Sequence, residues 1–187
     1  MHCVLAAYLL GSLTFGVILG YLRLGYDIRK KDLPGGSGSF RQLGPAWGVL
    51  VALLDMAKGA LAAGLGLNCP TFLPWMGPAV VAGHNWPVFF GFRGGGGLAP
   101  AIGFFLVVAP AATLTGIAVA LIVAGLYYLL YWRRHPRSPY PIPVGGVFGL
   151  FWLLYATWGT DRGVFLAALG TTLAIFLRAL QMLFFGR

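Results

Sequence analysis

Two short stretches concentrate the groups that could do chemistry. "PGGSGSFRQLG", residues 34–44, sets glycines and two serines ahead of Arg41. Glycine permits positive φ, so consecutive backbone N–H groups can turn inward around an anion. Ser37 and Ser39 add hydroxyl donors, Gly38 adds bare backbone between them, and Arg41 offers a planar fork that can pair with a phosphate. "FRGGGGLAP" has similar chemistry: Arg93 supplies charge, and the run opened by Gly94 and Gly95 supplies backbone. A helix starting after the glycines would aim its N-terminus at the same kind of ligand. It is not a Walker motif, because no Lys-Ser or Lys-Thr pair follows. Both stretches also suit plain flexible loops at a membrane surface, with Arg93 reaching out to lipid phosphates.

A second group of residues is expected to brace these loops. Asp55 and Lys58 stand three residues apart in "LLDMAKGAL", a spacing that puts them on one helix flank. An ionisable pair within an apolar span is expensive and marks a functional candidate. A structural clamp on neighbouring backbone is the preferred role for the pair over direct catalysis. His84, three residues before Pro87, reads as a hydrogen-bonding strut. No second His, Cys or carboxylate lies at ligand spacing from it, so neither a metal nor a cofactor is expected.

The elements that must position these groups are apolar helices. Of 187 residues, 59% are hydrophobic and 9% charged, where a soluble domain carries about 25% charged residues. The chain therefore reads as an all-α, polytopic integral membrane protein with a single transmembrane domain over residues 1–187. At about 20 residues per span, it accommodates about seven spans. The first covers residues 3–22 and the second starts at Pro45. The third, near residues 72–90, contains Pro74, Pro78 and Pro87 and is expected to be short, kinked or partly re-entrant. Pro110 divides the long apolar run after the glycines into a short fourth helix and a full fifth one. The sixth covers about 144–158 and the seventh runs from 163 to about 185.

Charge placement favours an outside N-terminus and a cytoplasmic C-terminus. The inner loops then hold Arg23, Arg29, Lys30, Lys31, Arg41, Arg93, Arg133, Arg134 and Arg137, while the outer connections hold Arg162 beside Asp161. A five-span arrangement would leave Arg93 at depth. The net charge of +9 reads as contact with anionic lipid heads, and no nucleic-acid partner is expected. Cys3 and Cys69 are too few for a disulfide framework and read as small apolar residues at segment ends.

The order of these elements resembles the bacterial membrane glycerol-3-phosphate acyltransferases that use acyl phosphate as donor. "AYLLGSLTFG" is similar to that family's first-span signature, with Thr14 where proline is usual. "DIRKKDLPGGSGS" resembles the approach to its first motif and "LLDMAKGALA" the helix that follows. Most specific is "GHNWPVFFGFRGGGG", which resembles G-H-x-x-P-V-F-x-x-F-K-G-G-K-G. The resemblance implies seven spans in a bacterial inner membrane, with the motifs on the cytoplasmic face. It implies acyl phosphate and glycerol 3-phosphate as substrates and lysophosphatidic acid as product. Neither a metal nor a covalent protein nucleophile is implied, and the acyl chain would lie between helices. Ser37 and Arg41 match the first-motif phosphate binders, Arg41 across a gap where the family has G-A-T-N.

The chain departs from the pattern at named positions. The first motif lysine is Arg93, the second is Gly96 and the closing threonine is Pro100. A third motif, H-x-x-N-x-x-R-L, falls on Phe176, Ala179 and Met182. Two readings follow. One is an acyltransferase with reduced or altered activity. The other is a catalytically inactive relative serving as a structural or lipid-binding subunit, with membrane protein partners. A small transporter is a third class, resting on Asp55 and Lys58 alone.

Overall fold

Nine α-helices build residues 1–184, the part of the chain described by the computed structural model. Among these residues there is no strand. The seven apolar segments read from the sequence each appear. The first is split into α1 (His2–Gly11) and α2 (Phe15–Leu24). Then come α4 (Pro45–Leu67), α5 (Leu73–Asn85), α6 (Leu98–Val108), α7 (Pro110–Tyr127), α8 (Pro141–Thr157) and α9 (Arg162–Phe184). The expected end of the last segment, at Phe185, lies outside the described residues, as does the C-terminus.

Four segments are long and apolar enough to cross a bilayer alone: residues 2–24, 45–67, 110–132 and 162–184. The 11 residues of α6 reach about 16 Å, well short of a hydrocarbon core of about 30 Å. Helix α5 is also short, and proline explains both of its limits. Pro74 sits in its first turn, where a missing N–H costs nothing, and the helix stops just before Pro87. Pro110 likewise opens α7 after a break at Ala109.

Helix α5 lies at the centre. It packs against α1, α4, α6 and α9. Its buried Met76, Val80 and Val81 meet Ala7, Ala62, Ala63, Phe104, Phe105 and Ala167 in one core. The helices approach closely because glycine replaces side chains at the crossings. A Cβ at Gly11 would overlap the Val80 carbonyl, and one at Gly83 would overlap the Tyr8 carbonyl. The α4–α6 crossing uses Gly59 against Pro100 O and Gly103 against Met56 O in the same way. With lipid outside, such van der Waals contact is what holds helices together.

Two sequence expectations are corrected. Residues 34–44 are more than a flexible loop: Gly36–Leu43 forms a helix, α3, that packs on α4. Its footing is Phe40 against Gly48, where a Cβ would overlap Phe40. Cys3 and Cys69 are not simple apolar fillers. They are joined by a disulfide that ties the start of α1 to the turn after α4. A separation of 66 residues hides this pairing in the sequence. It forms because α1 begins at the same end of the bundle where α4 finishes.

Candidate functional site

The break between α1 and α2 is where the bracing residues meet. Lys58 Nζ donates to the Gly11 and Leu13 carbonyls, each at 2.9 Å. These carbonyls lie at the helix interruption, so the ammonium supplies the donors that the broken ladder lacks. Lys58 also pairs with Asp55 Oδ1 at 2.9 Å and reaches His84 Nδ1 at 2.9 Å. All three side chains are buried. With Lys58 donating to Nδ1, the imidazole proton sits on Nε2. That nitrogen faces Gly95: a Cβ there would overlap it. Asp55, Lys58 and His84 thus connect α4, the α1–α2 break, the end of α5 and the glycine run.

The glycine run divides into two halves with different jobs. Gly94 N–H donates to Asn85 O at 3.1 Å and Gly95 N–H to His84 O at 3.0 Å. These two glycines are buried against the end of α5 and their donors are consumed. They close the C-terminal carbonyls of α5 that would otherwise be unpaired. The open backbone lies one step later. Helix α6 makes its first internal bond from Ala101 N to Gly97 O, so the N–H groups of Gly97, Leu98 and Ala99 precede it. A Cβ at Gly96 meets nothing within 4 Å. Arg93 is exposed at the start of the run.

The first-motif region forms a second helix N-terminus. The first internal bond of α3 is Ser39 N to Gly35 O, which leaves the N–H groups of Gly36, Ser37 and Gly38 ahead of it. Ser37 is exposed, whereas Ser39 Oγ is buried against Gly16. Gly38 packs on Leu33 O so closely that no Cβ would fit. Arg41 is committed on one side: its Nε is 2.6 Å from Asp32 Oδ2, and its guanidinium lies 4.8 Å from the Tyr140 ring centroid.

Arg29, in the turn at Ile28–Lys30 that precedes α3, reaches the glycine run. Asp27 holds it through several hydrogen bonds, including Arg29 Nη2 to Oδ2 at 2.6 Å, and that guanidinium keeps the Asp27 carboxyl below the usual carboxylate range. Its Nη1 donates to Phe90 O and, at 3.1 Å, to Arg93 O. Both helix starts also lean on α4. Gly36 meets it at Ala52, and Pro100 in the first turn of α6 meets it at Gly59. Seven residues of helix separate those contacts by about 10 Å along the axis. Two donor-rich helix ends therefore stand about two turns apart on one support, each suited to an anion.

Sequence reasoning missed two residues. Arg178 on α9 is buried, with Nη2 donating to Gly94 O at 3.0 Å and Nε to Gly95 O at 3.1 Å. Gln181 Oε1 accepts from Arg178 Nη1 and from Trp86 Nε1, both at 2.8 Å. The available signal was a lone arginine within an apolar span. Of the third-motif positions, Phe176 packs its ring on Phe151, 6.0 Å between centroids.

An apolar cleft lies beside the start of α6. Leu98, Ile102, Phe105, Ile117, Gly149 and Leu153 are among the residues that line it, from α6, α7 and α8.

A helical membrane bundle with two adjoining anion-type helix ends and an apolar cleft is the class that this fold and site define. The glycerol-3-phosphate acyltransferase family model matches residues 1–185, and the chain belongs to that family. It is 36% identical over 179 residues to "Glycerol-3-phosphate acyltransferase 4" of Dehalococcoides mccartyi, covering 92% of this chain and 90% of that protein. It is 50% identical over 126 residues to "Glycerol-3-phosphate acyltransferase 2" of Deinococcus radiodurans, spanning 65% of this chain and 64% of that one. The crystal structure of PlsY (YgiH), an integral membrane glycerol 3-phosphate acyltransferase, in its glycerol 3-phosphate form superposes with a TM-score of 0.81 at 30% identity. That match covers all of this chain and 92% of PlsY.

Proposed function

We propose that this chain transfers an acyl group from acyl phosphate to glycerol 3-phosphate, releasing inorganic phosphate and lysophosphatidic acid, at the inner face of a bacterial cytoplasmic membrane. The observation that carries the reading is the pair of helix N-termini, α3 and α6, whose contacts on α4 lie about two turns apart along its axis. A reaction between two phosphorylated substrates needs two such seats. The membrane topology that goes with it has seven spans, an outside N-terminus and a cytoplasmic C-terminus. The Cys3–Cys69 disulfide supports that orientation: it lies at the far end of α4 from α3, and disulfides persist on the oxidising side of a membrane.

In this reading Ser37, with the N–H groups of residues 36–38, seats one phosphate. Arg93 and the N–H groups of residues 96–99 seat the other. Arg41, steered by Asp32, borders the site, and Ser39 and Gly38 serve as packing that fixes the turn. The acyl chain occupies the cleft between α6, α7 and α8, whose lining includes Leu98 in the first turn of α6. The glycerol hydroxyl oxygen attacks the acyl carbonyl carbon, the bond to the phosphate oxygen breaks, and phosphate leaves. The departing phosphate is the base at hand for the hydroxyl proton. The protein's carboxylates are engaged elsewhere: Asp27 with Arg29, Asp32 with Arg41, Asp55 with Lys58, and Asp161 at the start of α9. Bound membrane lipid surrounds the bundle, and no protein partner is needed for the chemistry.

Positioned donors are worth most where charge develops, here on the leaving phosphate. Gly96, in place of a lysine, removes one cation but leaves the backbone donors. The test is direct. Purified protein with acyl phosphate and labelled glycerol 3-phosphate should yield lysophosphatidic acid. Folded protein giving no product above background rejects the reading.

A further inference from the structure

We propose that Arg178 is a positioning residue of the phosphate site: from α9 it fixes the glycine run, and it supplies that site with the fixed positive charge that Gly96 does not. The inference rests on the function proposed above and adds a residue to it.

The first support is charge accounting. The chain has four acidic residues in all, Asp27, Asp32, Asp55 and Asp161. Three are paired with Arg29, Arg41 and Lys58, and Asp161 caps the start of α9 at Val164 N. Arg178, 4% exposed, therefore has no acidic side chain as counter-ion. Buried charges are normally paired, because an unpaired one carries a large desolvation penalty. Two carbonyls and an amide oxygen solvate this guanidinium without neutralising it. A bound anion next to the glycine run would.

The second support is peptide geometry. In a trans peptide the C=O and the following N–H point in opposite directions. Arg178 draws the Gly94 carbonyl to one side, and the Gly95 N–H of the same peptide indeed points away, to His84 O. Arg178 also draws the Gly95 carbonyl, so the Gly96 N–H must likewise point away from α9, at the head of the open donors of residues 96–99. The guanidinium thus sets the direction in which the phosphate seat opens. Gln181, held in turn by Trp86, keeps its third side in place. Lysine could keep the charge but could not bridge both carbonyls with a planar fork.

The test uses the full chain in detergent with inorganic phosphate as the probe, read by calorimetry, and the KM for glycerol 3-phosphate read separately from kcat. Arg178→Gln should weaken phosphate binding about tenfold or more, through loss of the positive charge behind the glycine run and of the hold on its two carbonyls. Arg178→Lys should fall between Gln and the unmodified chain. Should Arg178→Gln fail to fold, Arg178→Lys decides: a several-fold weaker phosphate affinity supports the proposal, and an unchanged affinity overturns it. Folded Arg178→Gln that binds phosphate like the parent also overturns it. So does equal loss in both variants together with a lower ligand-free unfolding temperature, which would mark a merely structural role. Phosphate binding is measured without turnover. An absent acyl transfer with phosphate affinity that still depends on Arg178 would sink the proposed reaction and leave this residue's role standing.

Discussion

Gly95 and Gly96 are neighbours of identical type, yet the structure assigns them opposite tolerance. A Cβ at Gly95 would overlap His84 Nε2, and His84 cannot retreat because Lys58 holds its other nitrogen at 2.9 Å. Lys58 is in turn fixed to the carbonyls of Gly11 and Leu13. Gly95→Ala should therefore behave as overpacking, destabilising by about 1–3 kcal/mol. At Gly96 nothing lies within 4 Å and the backbone is not left-handed. Gly96→Ala should stabilise by about 0.4–1 kcal/mol, through the lower entropy of the unfolded chain. For a chain of this size each 1 kcal/mol moves the unfolding temperature by about 2–4 °C. Thermal unfolding in detergent should then show the two variants on opposite sides of the parent. In acyl transfer, Gly95→Ala should lose about tenfold or more in kcat/KM, at 1.4 kcal/mol per decade, with Gly96→Ala close to the parent. Equal destabilisation by both would refute the division of the glycine run into a packed half and an open half.

Other outcomes follow from the same contacts. Lys58→Met leaves Asp55 and His84 buried without their cation and should destabilise by about 3–5 kcal/mol, with the double variant Asp55→Asn/Lys58→Met recovering part of the loss in chemical unfolding. Asp27→Asn frees Arg29 from its anchor and should raise the KM for glycerol 3-phosphate through a looser contact at Arg93 O. The Asp27 carboxyl lies below its ordinary value, so the pair's contribution is present above the ordinary carboxylate range and is lost as pH falls through the lowered value. Activity between pH 6 and 8 should therefore not depend on this pair's ionisation, and a pH profile checks it. Cys3 and Cys69 should resist a membrane-impermeant maleimide on intact cells until a reductant is added, and labelling from the cytoplasmic side alone would reverse the proposed orientation.

Much of the fold was legible because proline and apolar length act locally. Pro45 opens α4 and Pro110 divides α6 from α7, as the sequence indicated, and the proline-bearing third segment is the short α5. The interruption at residues 12–14 was not legible, since it depends on Lys58 arriving from another helix to take two freed carbonyls. Helix α3 was hidden by its composition: glycine and serine disfavour helix locally, and packing on Gly48 and Ala52 overrides that preference. The bracing trio could be named because charge within an apolar span is conspicuous. Within the glycine run, the residues whose donors are free could not be separated from those already spent, because that depends on the carbonyls of His84 and Asn85 at the end of the preceding helix. Arg178 and the disulfide were missed for the same reason: each acts across a long sequence separation.

The most direct test is glycine-selective 15N NMR of the detergent-solubilised protein during titration with glycerol 3-phosphate. The account predicts that the amides of Gly36, Gly38, Gly96 and Gly97 shift in response to the ligand. Those of Gly94 and Gly95 should move little, and Gly25 and Gly159 not at all. Shifts confined to the distal glycines, or a response at Gly94 and Gly95 without Gly36 and Gly96, would contradict a phosphate site built from the starts of α3 and α6.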